Sequence, residues 1–345
     1  MQTDRAPGAA APGLTRLAGS AVSADAVSAT LARYRRDAHA DVEDRRRAYA
    51  QVVNRYYDLV TDFFEYGWGQ SFHFAPRARG ETREQSILRH EHWMALRLRL
   101  DPSLHVLDVG CGVGGPLRAI ARFAGCRITG INNNAYQVAR AETLNERAGL
   151  AARCRVIRGD FMAMPLPDAA MDAAYAIEAT VHAPSLVDVY REIRRVLKPG
   201  ALFGTYEWCL TPDFVPTDPS HQAIKREIEI GNGLIDLSTS AAVTQAITAS
   251  GFELLHSEDR AKAGDIPWWE PLAPAARRFS LRRSSGIGRH VTRIAVRVLE
   301  SLRVAPRGAT EVAQLLEACG RTLVTAGQQG LFTPDFFILA RNPRS

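Results

Sequence analysis

Asp108 stands two residues ahead of a glycine-rich turn, in the run His105-Val106-Leu107-Asp108-Val109-Gly110-Cys111-Gly112-Val113-Gly114-Gly115-Pro116. An apolar run, then glycines, then proline predicts a strand, a tight turn and a helix opened by proline. Glycines there admit a ligand to the backbone, and the N–H groups of the helix start point at it. Gly110, Gly112 and Gly115 also satisfy G-x-G-x-x-G, the spacing of nicotinamide dinucleotide sites. A carboxylate at Asp108, however, repels a pyrophosphate and suits the ammonium of a cofactor with an amino-acid tail. S-adenosylmethionine has that ammonium, and a sulfonium besides. Asn132 lies twenty residues beyond Gly112, at the end of the next apolar run, where a ribose-binding acid is usual. Its amide can serve a hydroxyl, with Gln137 one turn on. Gly159-Asp160-Phe161 offers a carboxylate for the adenine amino group and a ring for its face. The expected cofactor is S-adenosylmethionine, held by Asp108, Gly110, Gly112, Gly114, Asn132, Asn133, Gln137, Asp160, Phe161 and Ile177. A dinucleotide site, or glycines that only shape a turn, are the alternatives.

The second chemical cluster is aromatic. Residues 56–74, YYDLVTDFFEYGWGQSFHF, hold eight aromatic side chains in 19 positions, about fivefold the chain average of 8%. Their spacing is not cleanly helical and Gly67-Trp68-Gly69 is expected to break a helix, which points to the wall of a binding pocket. Asp58, Asp62 and Glu65 lie among the rings, and no lysine or arginine occurs between Asp58 and Pro76. Ring faces with carboxylates stabilise cations. Methyl transfer to oxygen or nitrogen mainly needs a base; transfer to an alkene carbon creates a carbocation that needs such a surrounding. The competing reading is an aromatic lid packed on the core.

These residues need elements to position them. From Leu31 to Val60 and from Thr82 to Leu100 the pattern is helical and charged. After Asp101-Pro102, short apolar runs alternate with helices, as in a parallel sheet with crossovers. Strands are expected near His105–Val109, Arg127–Ile131, Arg155–Arg158, Ala173–Ile177, Leu202–Glu207 and Phe252–Ser257. A last one is expected at Asp335–Ala340, and helices near 116–124, 135–148, 185–197 and 239–250. Residues 1–28, rich in Ala, Gly, Pro and Ser, read as a flexible tail. The segments 29–100, 101–258 and 259–345 read as a substrate-side helical and aromatic piece, the cofactor-binding core, and a C-terminal piece that ends in the last strand. The stretch Asp259–Pro334 is too long for a plain loop. Within it, Arg289–Val304 is basic and amphipathic, with Val291, Ile294, Val298 and Leu302 on one face, either core-facing or lying on a membrane surface.

Composition removes other classes. With 345 residues, 46% apolar and 23% charged, the chain has the make-up of a soluble globular protein, and no apolar run approaches spanning length. The net charge is +6, but only Lys198, Lys225 and Lys262 are lysines, and the arginines are spread evenly. No arginine cluster accompanies a groove-reading motif, so no nucleic-acid partner is expected. Five cysteines without C-x-x-C spacing, and no apolar signal core, suggest a reduced, cytoplasmic protein, peripheral at a membrane at most. No metal site and a homo-oligomeric state are expected.

The stretches YYDLVTDFFEYGWGQSFHF, RHEHW, LDVGCGVGGP, GINNNAYQ, GDFMAMP, YAIEATVHAP, YEW, EIEIGNG, DIPWWEPL and FTPDFFILARNP together resemble the sterol C-24 methyltransferase family. The resemblance runs from about Val53 to Arg344. It implies an α/β, Rossmann-like class I methyltransferase sheet with helices on both faces, and S-adenosylmethionine-dependent addition of a methyl to C24 of a Δ24 sterol side chain. The cation that forms is relieved by a hydride shift and proton loss. It places Glu65, Tyr66, Trp68, Phe72 and His73 in the sterol-contacting motif and His90 and Glu91 in the next helix. Glu178 and His182 lie just past the fourth strand. Glu65, Tyr66, His73, His90 and Glu178 are the expected catalytic set, with His73, His90 and His182 the candidates for the final base. Trp268-Trp269 and Tyr206-Glu207-Trp208 either complete the enclosure or pack. The chain departs from the family at Val181, where a cysteine is usual, and at Ala135 and Asn232, where acids are usual. Ala135 is expected beside the cofactor ribose. The alternatives at this point are methylation of another isoprenoid, such as a linear triterpene or a prenylated quinol, and a sterol-binding protein without turnover.

Overall fold

The computed structural model describes residues 21–273, 286–302 and 304–344. Seven strands form one sheet in the order β3-β2-β1-β4-β5-β7-β6. They are β1 (His105–Val109), β2 (Arg127–Asn132), β3 (Cys154–Arg158), β4 (Met171–Ile177), β5 (Leu197–Leu210), β6 (Glu253–Asp259) and β7 (Phe332–Arg341). The first five run parallel, and β7 lies antiparallel between β5 and β6. All seven expected strands are present. The register places Asp108 opposite Gly130 and Tyr175, so the turns after β1, β2 and β4 open at one edge of the sheet.

Alternation along the strands gives the sheet two buried faces. Leu107, Val109, Ile131 and Ala176 pack with α7 (Leu186–Val196) and α9 (Ser240–Ala249). Val106, Ile128 and Tyr175 face the other way, onto α4 (Arg83–Arg97), α5 (Gly115–Ala124) and α6 (Ala135–Arg147). Helix α4 therefore belongs to the sheet's own layer, not with the substrate-side segment that precedes it.

A separate helical layer combines both ends of the chain. Here α1 (Val27–Ala38), α3 (Tyr49–Trp68) and α11 (Ala309–Gln328) share a core that includes Leu31, Tyr34, Tyr56, Val60, Val312 and Val296 of α10 (Gly286–Ser301). The short α2 (Val42–Arg47) and α8 (Pro219–Asn232) join through the buried Arg45–Glu229 ion pair. The N-terminal and C-terminal pieces are thus one structure around one core. The tail expected to end at residue 28 is shorter, because Val27 is fully buried and Ser28 donates to the Arg307 carbonyl; residues 1–20 lie outside the described residues.

The aromatic segment is helical through Trp68, against the expectation that its spacing and Gly67 would break it. Val52, Val53, Tyr56, Leu59, Val60 and Phe63 recur at three- and four-residue intervals and are buried, which sets the helix. The chain turns off at Gly69, with φ +79°. Two faces of one helix thus carry rings, one into the core and one into a cavity, which blurs the period in sequence.

Candidate active site

At the sheet edge a cavity of about 740 Å³ is lined by Asp108, Gly110, Gly112, Asn132, Asn133, Gln137, Phe161 and Ile177, eight of the ten residues expected at the cofactor. Gly112 has φ +53° and a Cβ there would enter open space, so its backbone is bared to the cavity. At Gly115 a Cβ would lie 2.1 Å from the Gln70 carbonyl oxygen; this glycine lets the segment after α3 close over the turn. Gly114 is not among the lining residues. It caps α5 at φ +77°, and a Cβ would meet the buried Arg118, so its role is the turn itself. Asp160 also stays outside the lining: its Oδ1 accepts from the Met162 N–H at 2.8 Å and from the Tyr49 hydroxyl. Phe161 is stacked beside Tyr49 and does face the cavity. Ala135 is exposed and away from the cavity, so the loss of an acid there does not touch the lining.

Asp108 is buried, and the hydroxyl of Tyr175 donates to its Oδ2 at 2.9 Å. Burial is the main cause that pushes its carboxyl up to about 7, with Glu91 adding to the effect. Among the described residues no cation pairs with it; a ligand ammonium would supply the missing charge. Asn132 donates to Gln137 at 2.8 Å, and Gln137 in turn donates to the Thr61 hydroxyl at 3.1 Å. Asn134, unremarked in the sequence, caps α6 and donates to Asp58 at 2.7 Å. The wall opposite the sheet is therefore α3. The donor and acceptor set, the bared turn and the uncompensated carboxylate fit S-adenosylmethionine. Among the described residues no group of His, Cys, Asp or Glu could hold a metal ion.

A second, largely apolar cavity of about 1130 Å³ adjoins the first. Rings from α3 (Tyr56, Tyr57, Phe63, Phe64, Tyr66, Trp68), together with Phe72 and Phe74, form one side. Asn232, Leu234 and Leu272 and, from α10 and α11, Thr292, Leu316, Cys319 and Leu323 form the other. Of the candidate rings, Trp208 lines it, whereas Trp268 packs on Phe74 and Phe332. Tyr57, Phe72, His73, Glu178 and His182 line both cavities and so mark where they meet.

Glu178 is the buried acid at that junction. It has φ +53°, a left-handed conformation that a non-glycine residue holds only under constraint. Its Oε1 accepts the Phe74 N–H at 2.6 Å and its Oε2 the Trp208 indole N–H at 2.7 Å. Burial, then Asp335, raises its pKa well above the usual carboxylate range. His182 follows on a short turn, Thr180–His182, held from below by Glu207, which accepts from the Thr180 hydroxyl and from Tyr190 at 3.2 Å. Burial pushes Glu207 up to about 8.

The expected catalytic residues divide. Tyr66, His73 and Glu178 line the aromatic cavity; Glu65 and His90 line neither cavity. Glu65 is turned to Arg140 of α6, which donates to it at 2.5 and 3.0 Å. The segment itself holds no lysine or arginine, but Arg140 reaches it from 75 residues away, and the Arg83 guanidinium lies 4.8 Å above the Trp68 ring. His90 is buried, stacks on Tyr206 at 3.7 Å and has its Nε2 3.4 Å from Asp335. It supports the site from behind. His73 has Nδ1 against the Phe74 carbonyl at 2.6 Å and Nε2 against Glu91 at 3.1 Å, so both ring nitrogens are engaged. The residues that sequence reading missed are Tyr57 as a junction residue and the whole contribution of α10 and α11, whose cavity-lining side chains carry no motif.

The methyltransferase domain model matches residues 107–204, and the sterol methyltransferase C-terminal model matches residues 279–344. Cycloartenol-C-24-methyltransferase of Arabidopsis thaliana is 48% identical over 301 residues, 87% of this chain and 90% of its own length. Sterol 24-C-methyltransferase of Eremothecium gossypii is 44% identical over 344 residues, 96% and 92% of the two chains. Among solved structures, a cyclopropane synthase of Mycobacterium tuberculosis superposes with a TM-score of 0.65 at 18% identity, over 84% of this chain and 96% of that one. At that identity the likeness concerns the fold, which is the class I methyltransferase fold. By the extent and identity of these matches, and by the two cavities that meet at Glu178, the chain belongs to the sterol 24-C-methyltransferase family.

Proposed function

We propose that this protein transfers a methyl group from S-adenosylmethionine to C24 of a Δ24 sterol side chain, and that the residues at the junction of its two cavities manage the carbocation that results. The observation that carries this reading is the shared wall: a polar cavity that holds the buried Asp108 carboxyl and a large aromatic cavity meet at Tyr57, Phe72, His73, Glu178 and His182. When bound, S-adenosylmethionine supplies an electrophilic methyl. Asp108 holds the ammonium of its tail, and Gly110 and Gly112 leave room for it against the turn. Phe161 supports the base, with Asn132, Asn133 and Gln137 toward the ribose. Asp160 acts through Tyr49 and Phe161, and Gly114 through the shape of the turn.

On the sterol side, Phe64, Tyr66, Trp68 and Phe72 exclude water and present ring faces to the side chain. Glu178 is the acid at the junction, and its two N–H donors fix its orientation before the substrate arrives. Since a cation is stabilised only once it forms, these groups act more strongly on the transition state than on the neutral sterol. The test is incubation of the protein with methyl-labelled S-adenosylmethionine and a Δ24 sterol beside its side-chain-saturated counterpart. Label enters the first and not the second; label in both, or in neither, refutes the reading.

Sterol delivery is assigned to a membrane surface. Ile294, Val298 and Leu302 of the α10 region are half or more exposed, while Val296 faces the core and Thr292 lines the aromatic cavity. The apolar face singled out in the sequence is therefore the outward one, with Arg297 exposed beside it; the side chain of Val291 lies outside the described residues. No helix among the described residues is long and apolar enough to cross a membrane. A helix that forms the cavity roof and rests on anionic lipid brings a water-insoluble substrate to its entrance.

A further inference from the structure

We propose that Tyr57 and His182 act as one base: the Tyr57 oxygen takes the proton that the methylated sterol cation loses, while the Tyr57 proton passes to Nε2 of His182. This rests on the sterol methylation proposed above and assigns its last chemical step.

The hydrogen bonds fix the direction of the relay. His182 Nδ1 lies 3.1 Å from the Gly233 carbonyl oxygen, which only accepts, so Nδ1 carries a proton. The Tyr57 hydroxyl lies 2.9 Å from Nε2. In the neutral ring that nitrogen is an acceptor, so Tyr57 donates to it. Burial holds the imidazole down to about 4 and, with Glu178 adding to it, raises the phenol. Across the neutral range the ring is therefore uncharged and the phenol protonated. With its proton committed to His182, Tyr57 has oxygen lone pairs left to receive another. Tyr57 lines both cavities, beside the point where the methyl crosses.

The pair is held from both ends. Glu207 pins the turn that carries His182. Gly233 has φ +65°, and a Cβ there would sit 2.8 Å from the Tyr56 ring, so only glycine presents its carbonyl to Nδ1 in this place. Of the other junction residues, Phe72 has no proton-accepting atom and His73 has both nitrogens engaged. Glu178 has both carboxyl oxygens engaged by N–H donors.

The step balances. A C–H bond next to the cationic carbon breaks, and its electron pair becomes the second bond of the new alkene. The proton lands on the Tyr57 oxygen as the original phenolic proton moves to Nε2. The positive charge that sat on the sterol ends on an imidazolium that donates one N–H to Gly233 and the other to Tyr57. No net charge is created or lost at the junction. A weakly basic ring suffices, because a carbon acid beside a carbocation is far stronger than any imidazolium. The proton leaves to solvent when the product departs.

The experiment uses the full chain with Tyr57→Phe, His182→Asn and Glu178→Gln, a Δ24 sterol and methyl-labelled S-adenosylmethionine. His182→Asn keeps a donor toward Gly233 and so carries the test if Tyr57→Phe fails to fold. Both dyad variants are expected to bind S-adenosylmethionine within threefold of wild type by calorimetry and to place label on the sterol in a single turnover. They should form alkene at least tenfold more slowly, with product diverted to a water-captured methylated alcohol. Wild-type alkene rates, a lower total rate at an unchanged alkene-to-alcohol ratio, or diversion confined to Glu178→Gln would overturn the assignment. Absence of label transfer by the wild-type protein would instead refute the sterol reading on which it rests.

Discussion

Arg140 holds Glu65 in a two-pronged ion pair, at 2.5 and 3.0 Å, that ties helix α3 of the substrate layer to helix α6 of the cofactor layer. Glu65 is 1% exposed, so loss of its charge leaves a partly buried guanidinium unpaired. Glu65→Gln is expected to destabilise the protein by about 2 to 3 kcal/mol in urea unfolding, toward the low end for a broken buried pair because Arg140 reaches the surface. At a temperature where the variant stays folded, its alkene product distribution should match wild type, since the carboxylate faces the arginine and not the sterol.

The charge state of Asp108 couples cofactor binding to pH. In the free protein its carboxyl sits at about 7, raised from 3.8. A bound ammonium favours the ionised form and lowers it. Affinity for S-adenosylmethionine should therefore rise as pH increases from 5 to about 7 and level off above, with a proton released on binding below 7. Calorimetry in two buffers of different ionisation enthalpy measures that proton. Because the native pKa is raised, the free protein binds more protons than the unfolded chain between about pH 4 and 7, so its stability falls as pH rises through that window. Asp108→Asn should weaken binding about a hundredfold and abolish both dependences.

Ring faces in the aromatic cavity make a separable prediction. Tyr66→Phe keeps the π-face and should retain most turnover. Tyr66→Leu removes it, and at about 1 to 2 kcal/mol for a desolvated cation–π contact turnover should fall about five- to thirtyfold with little change in sterol affinity. Steady-state kinetics with a parallel sterol-binding titration checks both.

Membrane delivery rests on an outward apolar face. Ile294→Glu with Leu302→Glu should reduce co-sedimentation with anionic vesicles at low salt more than tenfold, as two exposed aliphatic side chains that would enter the lipid become charged. Activity on detergent-dispersed sterol should stay at wild-type level, because neither residue lines the cavity.

Local chemistry in the sequence was enough to locate the sheet and to single out eight residues that line one polar cavity at its edge. Strands β1, β2 and β3 are short runs ended by Gly or Asn, and Asp108 announces itself by its distance from Gly110. Helix α8 was not among the expected helices, although Asp218-Pro219 and Gly233 bound it and its N-cap Asp218 accepts from Ser220 and His221. What stayed hidden is non-local. The Glu65–Arg140 pair joins residues 75 apart, and the Tyr57–His182 contact joins residues 125 apart. Neither spacing follows from any local pattern. The aromatic run misled because its helix has two occupied faces, and periodicity detects one. Asp160 looked like an adenine ligand because its place after β3 is local, whereas the Tyr49 hydroxyl that occupies it comes from another layer.

The central claim is carbon methylation at one defined atom of the sterol side chain. Incubation of the protein with S-adenosylmethionine carrying a carbon-13 methyl and a Δ24 sterol, followed by carbon-13 NMR of the purified product, reads it directly. The account predicts that the labelled carbon is bonded to C24 and that the product is a sterol alkene. A labelled carbon bonded to oxygen, or sterol recovered unlabelled after tight binding, would contradict it.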